Sequence, residues 1–306
     1  CKKPVLSVEG GLYNSSLTTG FETPEAGDTI FYNLNSEEPT RETSQHYIPG
    51  SVIVINSNTV IRAKTFSSGK LSSNITTATY LIGQREFNLP VVSLVTPPAY
   101  LFDTTIGIYV EGTNGITGCG DIFPHNWNQD WERPANFELF DRNKVTQINQ
   151  EIDIQTAGCF SRATTRQKSL HLQPKKKIGK NTYDYAIFNS RPTKKYKDIT
   201  IRNSGNDAKY SMMRDAMSQT LIMGRMDLEY LAYEPSVLFM NGEYYGIQNL
   251  RQRSNADLLY TSYGLDKEDV IMTDTYDIIN NPYYQEMMDY ITGNDIKLDE
   301  VYDSLI

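Results

Sequence analysis

Histidine and cysteine are both scarce, with three of each in 306 residues. The histidines, His46, His125 and His171, stand far apart. No Cys-x-x-Cys pair offers the spacing of a zinc site. One loop, 113–130, gathers His125, Asp121 and Asp130, but a single imidazole without a fixed carboxylate spacing is a poor ligand set. The cysteines, Cys1, Cys119 and Cys159, are odd in number and give no closed disulfide framework. A Cys119–Cys159 bridge would need Cα atoms within about 7 Å of each other. Positive charge is outnumbered, 29 Lys and Arg against 37 Asp and Glu, for a net charge of −8. That balance argues against nonspecific nucleic-acid binding. No apolar run is long enough to span a bilayer.

What is present is ordinary for a globular protein: 39% hydrophobic and 22% charged residues, with 21 tyrosines. The length suffices for two domains. Up to Gly83 the chain shows short alternating segments, 29–34, 52–55, 59–64 and 77–82, separated by turn residues, the pattern of an all-β sandwich. Residues 84–90 read as a short linker. Apolar or alternating runs at 91–95, 131–140, 151–155, 168–172 and 199–201 follow as strands. A helix is expected over 211–223, with Ser211 as N-cap and Met212, Met213, Ala216, Met217 and Leu221 forming a core-facing stripe. Two strands, 235–240 and 244–250, flank Asn241-Gly242, the dipeptide best suited to a turn with two positive φ angles. Further helices are expected at 282–291 and from 298 onward. The basic run 174–180 reads as a solvated turn, and loop 113–130 as an exposed one.

The stretch Ala157 to Gln167 combines Gly158, hydroxyl side chains and two arginines, and it delivers Lys168 onto a strand. Backbone N–H groups, hydroxyls and a fixed cation are what a phosphate requires. A solvated basic hairpin has the same composition, and both readings stay open at this level.

Three runs decide between them. IRNSGND (201–207), MRDA (213–216) and FMNGEYYGIQNLR (239–251) resemble the spore-coat protein H (CotH) kinase-like family. IFYNLNSEEPT (30–40) and NTVIRAKTFSSGKLSSNITTATYLI (58–82) resemble the small immunoglobulin-like domain at the C-terminal end of chitobiases and hexosaminidases. There Asn33-Leu34-Asn35-Ser36 replaces the usual Thr-x-Asp-Gly. The resemblances imply an immunoglobulin-like β-sandwich over 1–83, followed over 84–306 by the α+β N-terminal lobe of a CotH-type kinase. They imply ATP and Mg²⁺ as cofactors of the complete parent protein, with no tight binding expected of this chain, and γ-phosphoryl transfer to Ser or Thr of a secreted or surface protein. Kinases pair a strand lysine with a helix acid. On this chain Lys168 and Asp215 take those roles, with Ser161, Arg162 and Arg214 completing the ATP-binding set. No catalytic residue is assigned. The family's catalytic-loop aspartate and asparagine, and its Trp-Asp-x-Asp metal segment, lie further along than this sequence runs. The chain is therefore expected to lack turnover. Gln252 and Asn255 replace acids common in the family. A rival reading makes the chain a non-catalytic surface protein that binds a partner or a carbohydrate. Cys1 followed by Lys2-Lys3 resembles the start of a mature bacterial lipoprotein, which would place the protein outside the cytoplasm with a lipid anchor as its membrane contact. An arbitrary boundary would look the same.

Overall fold

The computed structural model describes residues 1–118, 122–175, 179–272 and 278–304. They form two compact units, 1–253 and 254–306. The first unit is built on two sheet systems.

The N-terminal system comprises β1 (Gly11–Tyr13), β2 (Leu17–Thr19), β3 (Asp28–Asn33), β4 (Gln45–His46), β5 (Ile53–Ile55), β6 (Thr59–Ser67) and β7 (Thr76–Ile82). Five strands pair in the order β1-β7-β6-β3-β4, and β2 pairs with β5. Alternation places Ile30, Ile61, Ala63, Ala78 and Tyr80 of the larger sheet against Ile53 and Ile55 of the smaller pair in one core. This is the sandwich that the alternating segments predict.

The second system is β8 (Val91–Val95), β9 (Arg133–Phe140), β10 (Thr146–Ala157), β11 (Ser169–Gln173), β12 (Tyr183–Asp184), β13 (Lys195–Tyr196), β14 (Ile199–Arg202), β15 (Tyr233–Met240) and β16 (Glu243–Arg251). Seven of these close a barrel in the order β10-β11-β14-β16-β15-β8-β9, and β12 pairs with β13 alone. Only β8 and β15 run parallel within the barrel. Its helices are short: α1 (Pro98–Phe102), α2 (Ser161–Thr164) and α3 (Arg214–Ile222). Where an α+β lobe is expected, the structure is thus mostly β, because the two ends of the sheet find each other through the parallel β8–β15 pair. In the second unit lie α4 (Ala256–Tyr263), α5 (Pro282–Gly293) and α6 (Asp299–Asp303).

Strand parity explains how the sheets meet. On β8, β9 and β15 one face points into the barrel, carrying Val92, Leu94, Phe137, Leu139, Leu238 and Met240. The other face carries Val91, Phe140, Val237 and Phe239, which pack with Leu81 of β7 and with Phe87. Residues 84–90, read as a linker, are tied into this seam. Phe87 is buried against Phe239 at 6.3 Å between ring centroids, and Gln84 donates to Asn58 Oδ1 at 2.9 Å.

The Asn241-Gly242 turn forms as expected, with φ of 52° and 82°. Asn58 Nδ2 donates to the Gly242 carbonyl at 3.0 Å and so ties the sandwich to the turn. Two expectations fail. The methionine stripe of α3 is not core: Met213, Met217 and Leu221 are all more than half exposed. Loop 113–130 is not wholly exposed: Asn126, Trp127 and Asn128 are buried, Asn126 through donation to the carbonyls of Thr104 and Gly107. Asp121 and Cys119 lie outside the described residues. Cys159 is disulfide-bonded and Cys1 is free.

Truncating Phe87 tests the seam. Phe87→Ala removes a buried ring from between the two sheets, and should cost about 3 kcal/mol in urea unfolding. It should also make residues 84–90 a site of rapid proteolysis.

Candidate functional site

The local fold around β14 and α3 is set by a polar network. Asn203, fully buried, accepts at Oδ1 from Ser169 Oγ and the Gly205 N–H, both at 3.0 Å. Its Nδ2 donates to Thr165 Oγ1 at 2.7 Å and to the Gln167 carbonyl at 2.6 Å. One side chain thus fixes the end of the 158–168 segment against β14. Ser204, at φ 68°, donates to the Met212 carbonyl at 2.8 Å and accepts from Asn249 Nδ2 at 3.2 Å. Asp207 accepts at Oδ2 from Ser211 Oγ and from the N–H groups of Met213 and Arg214. The N-cap position of α3 is thus Met213 rather than Ser211, and the Asp207 carboxylate serves the N–H groups at the helix start. These hydrogen bonds, led by the one from Ser211, hold the Asp207 carboxyl down at about 2.

Helix α3 so placed carries Asp215 to the barrel wall. Its Oδ2 meets Arg202 Nε of β14 at 3.1 Å and Arg251 Nη2 of β16 at 3.2 Å. Arg251 is buried, and among the described residues its Nε and Nη1 have no hydrogen-bond partner. The expected Lys168–Asp215 pair is not formed, because the two arginines of adjacent strands occupy that carboxylate.

Lys168 lies just ahead of β11 and turns inward. Its Nζ donates to the Arg162 carbonyl and sits 4.1 Å from the centroid of the Trp127 ring. Burial pushes its ammonium down to about 8, opposed by the charge of Glu111. Arg162 also turns inward, donating from Nη1 to the Trp127 carbonyl at 3.0 Å and from Nη2 to that of Thr156 at 3.3 Å. Ser161 is buried beside them. Arg214 is mostly exposed and reaches Asp207 at 3.2 Å. The structure thus brings Lys168 and Arg162 together at Trp127, with Ser161 buried at the start of α2. It sets Asp215 with Arg202 and Arg251, and Arg214 with Asp207.

The other side of the same segment opens on a cleft of ≈ 470 Å³ lined by Thr164, Thr165, Arg166, Gln167, Ala208, Lys209, Tyr244, Tyr245 and Gly246. Gly246, at φ 94°, admits Gln167 so closely that a Cβ would lie 2.4 Å from its amide nitrogen. Arg166 stands 5.8 Å from the centroid of the Tyr245 ring. Residues 8–77 match the family model for the chitobiase/beta-hexosaminidase C-terminal domain, and residues 154–300 that for the CotH kinase protein. The second half of the chain is CotH-like. Strands β8 and β9, and most of β10, lie outside both matched ranges, yet they complete the barrel that the CotH-like half shares. No curated protein matches the chain. Arg251, Arg202 and Lys209 are functional candidates that reading the segment around Lys168 alone passes over. Arg202 and Arg251 sit within the quoted motifs, and their spacing on adjacent strands is the signal that points to them.

The inward Lys168 gives a pH signature. Its folded pKa lies below the unfolded value of about 10.4, so between pH 8 and that value the folded state binds fewer protons. Stability conferred at this site therefore rises with pH through that window. In urea unfolding at pH 7.5 and 9.5, Lys168→Met should lack the rise that the unsubstituted chain shows.

Proposed function

We propose that the CotH-like half is the nucleotide-binding part of an atypical protein kinase. It would transfer the γ-phosphoryl group of ATP to Ser or Thr of a protein outside the cytoplasm. The observation that carries this reading is the bridge from helix carboxylate Asp215 to the strand cations Arg251 and Arg202. Kinases hold their phosphate-binding strand cation with a helix acid in this way. The segment after Arg202 contributes Lys209 to the cleft, where it stands with Arg166. These two cations would take the phosphates, and the Tyr245 ring would face the base. Mg²⁺ would arrive on the nucleotide and supply charge neutralisation there. Among the described residues no group of three or more His, Cys, Asp or Glu forms a ligand set, and no step is assigned to the metal. The disulfide at Cys159 supports an oxidising compartment.

Lys168 favours a second reading. A cation already held by a carbonyl and an indole is withdrawn from a phosphate, as in a scaffold that binds a surface partner or a glycan without transferring phosphate.

Melting curves with millimolar MgATP test the site. Binding to the folded state alone must raise Tm. The unsubstituted chain should gain several degrees and the Arg166→Ala/Lys209→Ala double variant none. No shift in the unsubstituted chain would remove the nucleotide reading and favour the scaffold.

A further inference from the structure

Strand parity that fills the seam with Val91, Phe140, Val237 and Phe239 also places one carboxylate in it. Glu138 is on β9, on the face turned away from the barrel core, and is 1% exposed. Its cross-strand neighbours are Ser93 of β8 and Asn149 of β10. Over this row lies Thr79 of β7. The Thr79 N–H donates to Glu138 Oε1 at 3.2 Å, and Thr79 Oγ1 donates to Oε2. Asn149 Nδ2 donates to Glu138 Oε1 at 3.3 Å and to the Thr77 carbonyl at 2.9 Å. Thr79 Oγ1 and Ser93 Oγ are 2.8 Å apart. Gly10 presses the other side of Thr79 so closely that a Cβ there would stand 2.8 Å from its carbonyl oxygen. The sandwich is thus fastened to the barrel at Thr79 by one acidic side chain.

Among the described residues every donor to Glu138 is neutral. On β7 the nearest titratable group is Tyr80, whose hydroxyl is spent on the Val8 carbonyl at 2.6 Å. Strand β8 carries no charge. On β10, Glu151 feels Lys3, Arg62 and Lys64. The segment ahead of β1 brings Lys3 and Glu9, and neither forms an ion pair with Glu138 among the described residues. A cavity of ≈ 410 Å³, lined by Lys3, Glu9, Thr77, Asn149 and Glu138 itself, gives a proton a route to the carboxyl.

We propose that this seam is an acid-held latch: Glu138 in its protonated form keeps β7 seated on the barrel, and its ionisation loosens the sandwich from it. A buried carboxylate without a cation is costly, whereas a carboxylic acid can donate to Ser93 or Thr79 and leave no charge in the seam. Burial raises the carboxyl to about 7, against the hydrogen bonds from Thr79 and Ser93. Once opened to water it titrates near about 4.3. Between these values the closed state binds more protons than the open one. Closure is therefore strongest below about 4.3 and is lost as pH rises through 7.

Hydrogen exchange at the Thr79 amide, corrected for intrinsic base catalysis, reads the opening directly. From pH 6 to pH 8 the opening equilibrium of the unsubstituted chain should grow about tenfold. In Glu138→Gln, a permanently neutral isostere, it should change by less than about twofold over the same range. No growth in the unsubstituted chain, or equal growth in the variant, would overturn the latch. Should Glu138→Gln not fold, a carbon-13 titration of the Glu138 carboxyl in the unsubstituted chain decides. A midpoint near 7 supports the latch, and one in the ordinary glutamate range overturns it.

Discussion

Burial of both faces of β8, β9 and β15 is the constraint on which the rest depends. One face fills a closed barrel and the other fills a seam with the sandwich. A strand with two covered faces cannot slip register by one residue without exchanging its two environments. Register then fixes everything carried on the ladder. Ser93, Glu138 and Asn149 become one row, and Asn241 comes to the end of β8, where its Oδ1 accepts from the Thr96 N–H at 2.9 Å.

The candidate site follows from the same frame by a chain of short-range hydrogen bonds. Asn203 fastens the 158–168 segment, Asp207 serves the N–H groups at the start of α3, and α3 delivers Asp215 to strands whose register already sets Arg202 opposite Asn249 and Arg251 opposite Thr200. Cations that sequence order groups together, Arg162, Arg166 and Lys168, are divided by side-chain direction between an interior around Trp127 and an open cleft.

Local signals were the legible part of the sequence. Alternation located the seven barrel strands and β3, β5, β6 and β7 of the sandwich, and Asn241-Gly242 announced its hairpin, because period and turn chemistry act over a few residues. Closure of the barrel was not legible, since it rests on β8 meeting β15 across most of the chain. For the same reason the buried Trp127 loop read as solvated. The stripe of α3 misled because helical spacing of methionines says that a face is apolar and not that anything covers it. Asp215 was expected to pair with Lys168 and instead meets Arg202 and Arg251: a strand lysine nearby in sequence drew attention from two arginines nearby in space.

The parallel β8–β15 pair has one more consequence. The CotH-matching range begins inside β10, so β8 and β9 come from chain that the family model does not span. A piece cut to that range would leave β15 and β10 as bare sheet margins, each offering unpaired N–H and C=O groups to any passing strand. Here the borders drawn by sequence similarity and those of the closed barrel fall in different places, and the residues between them pair both margins of the sheet.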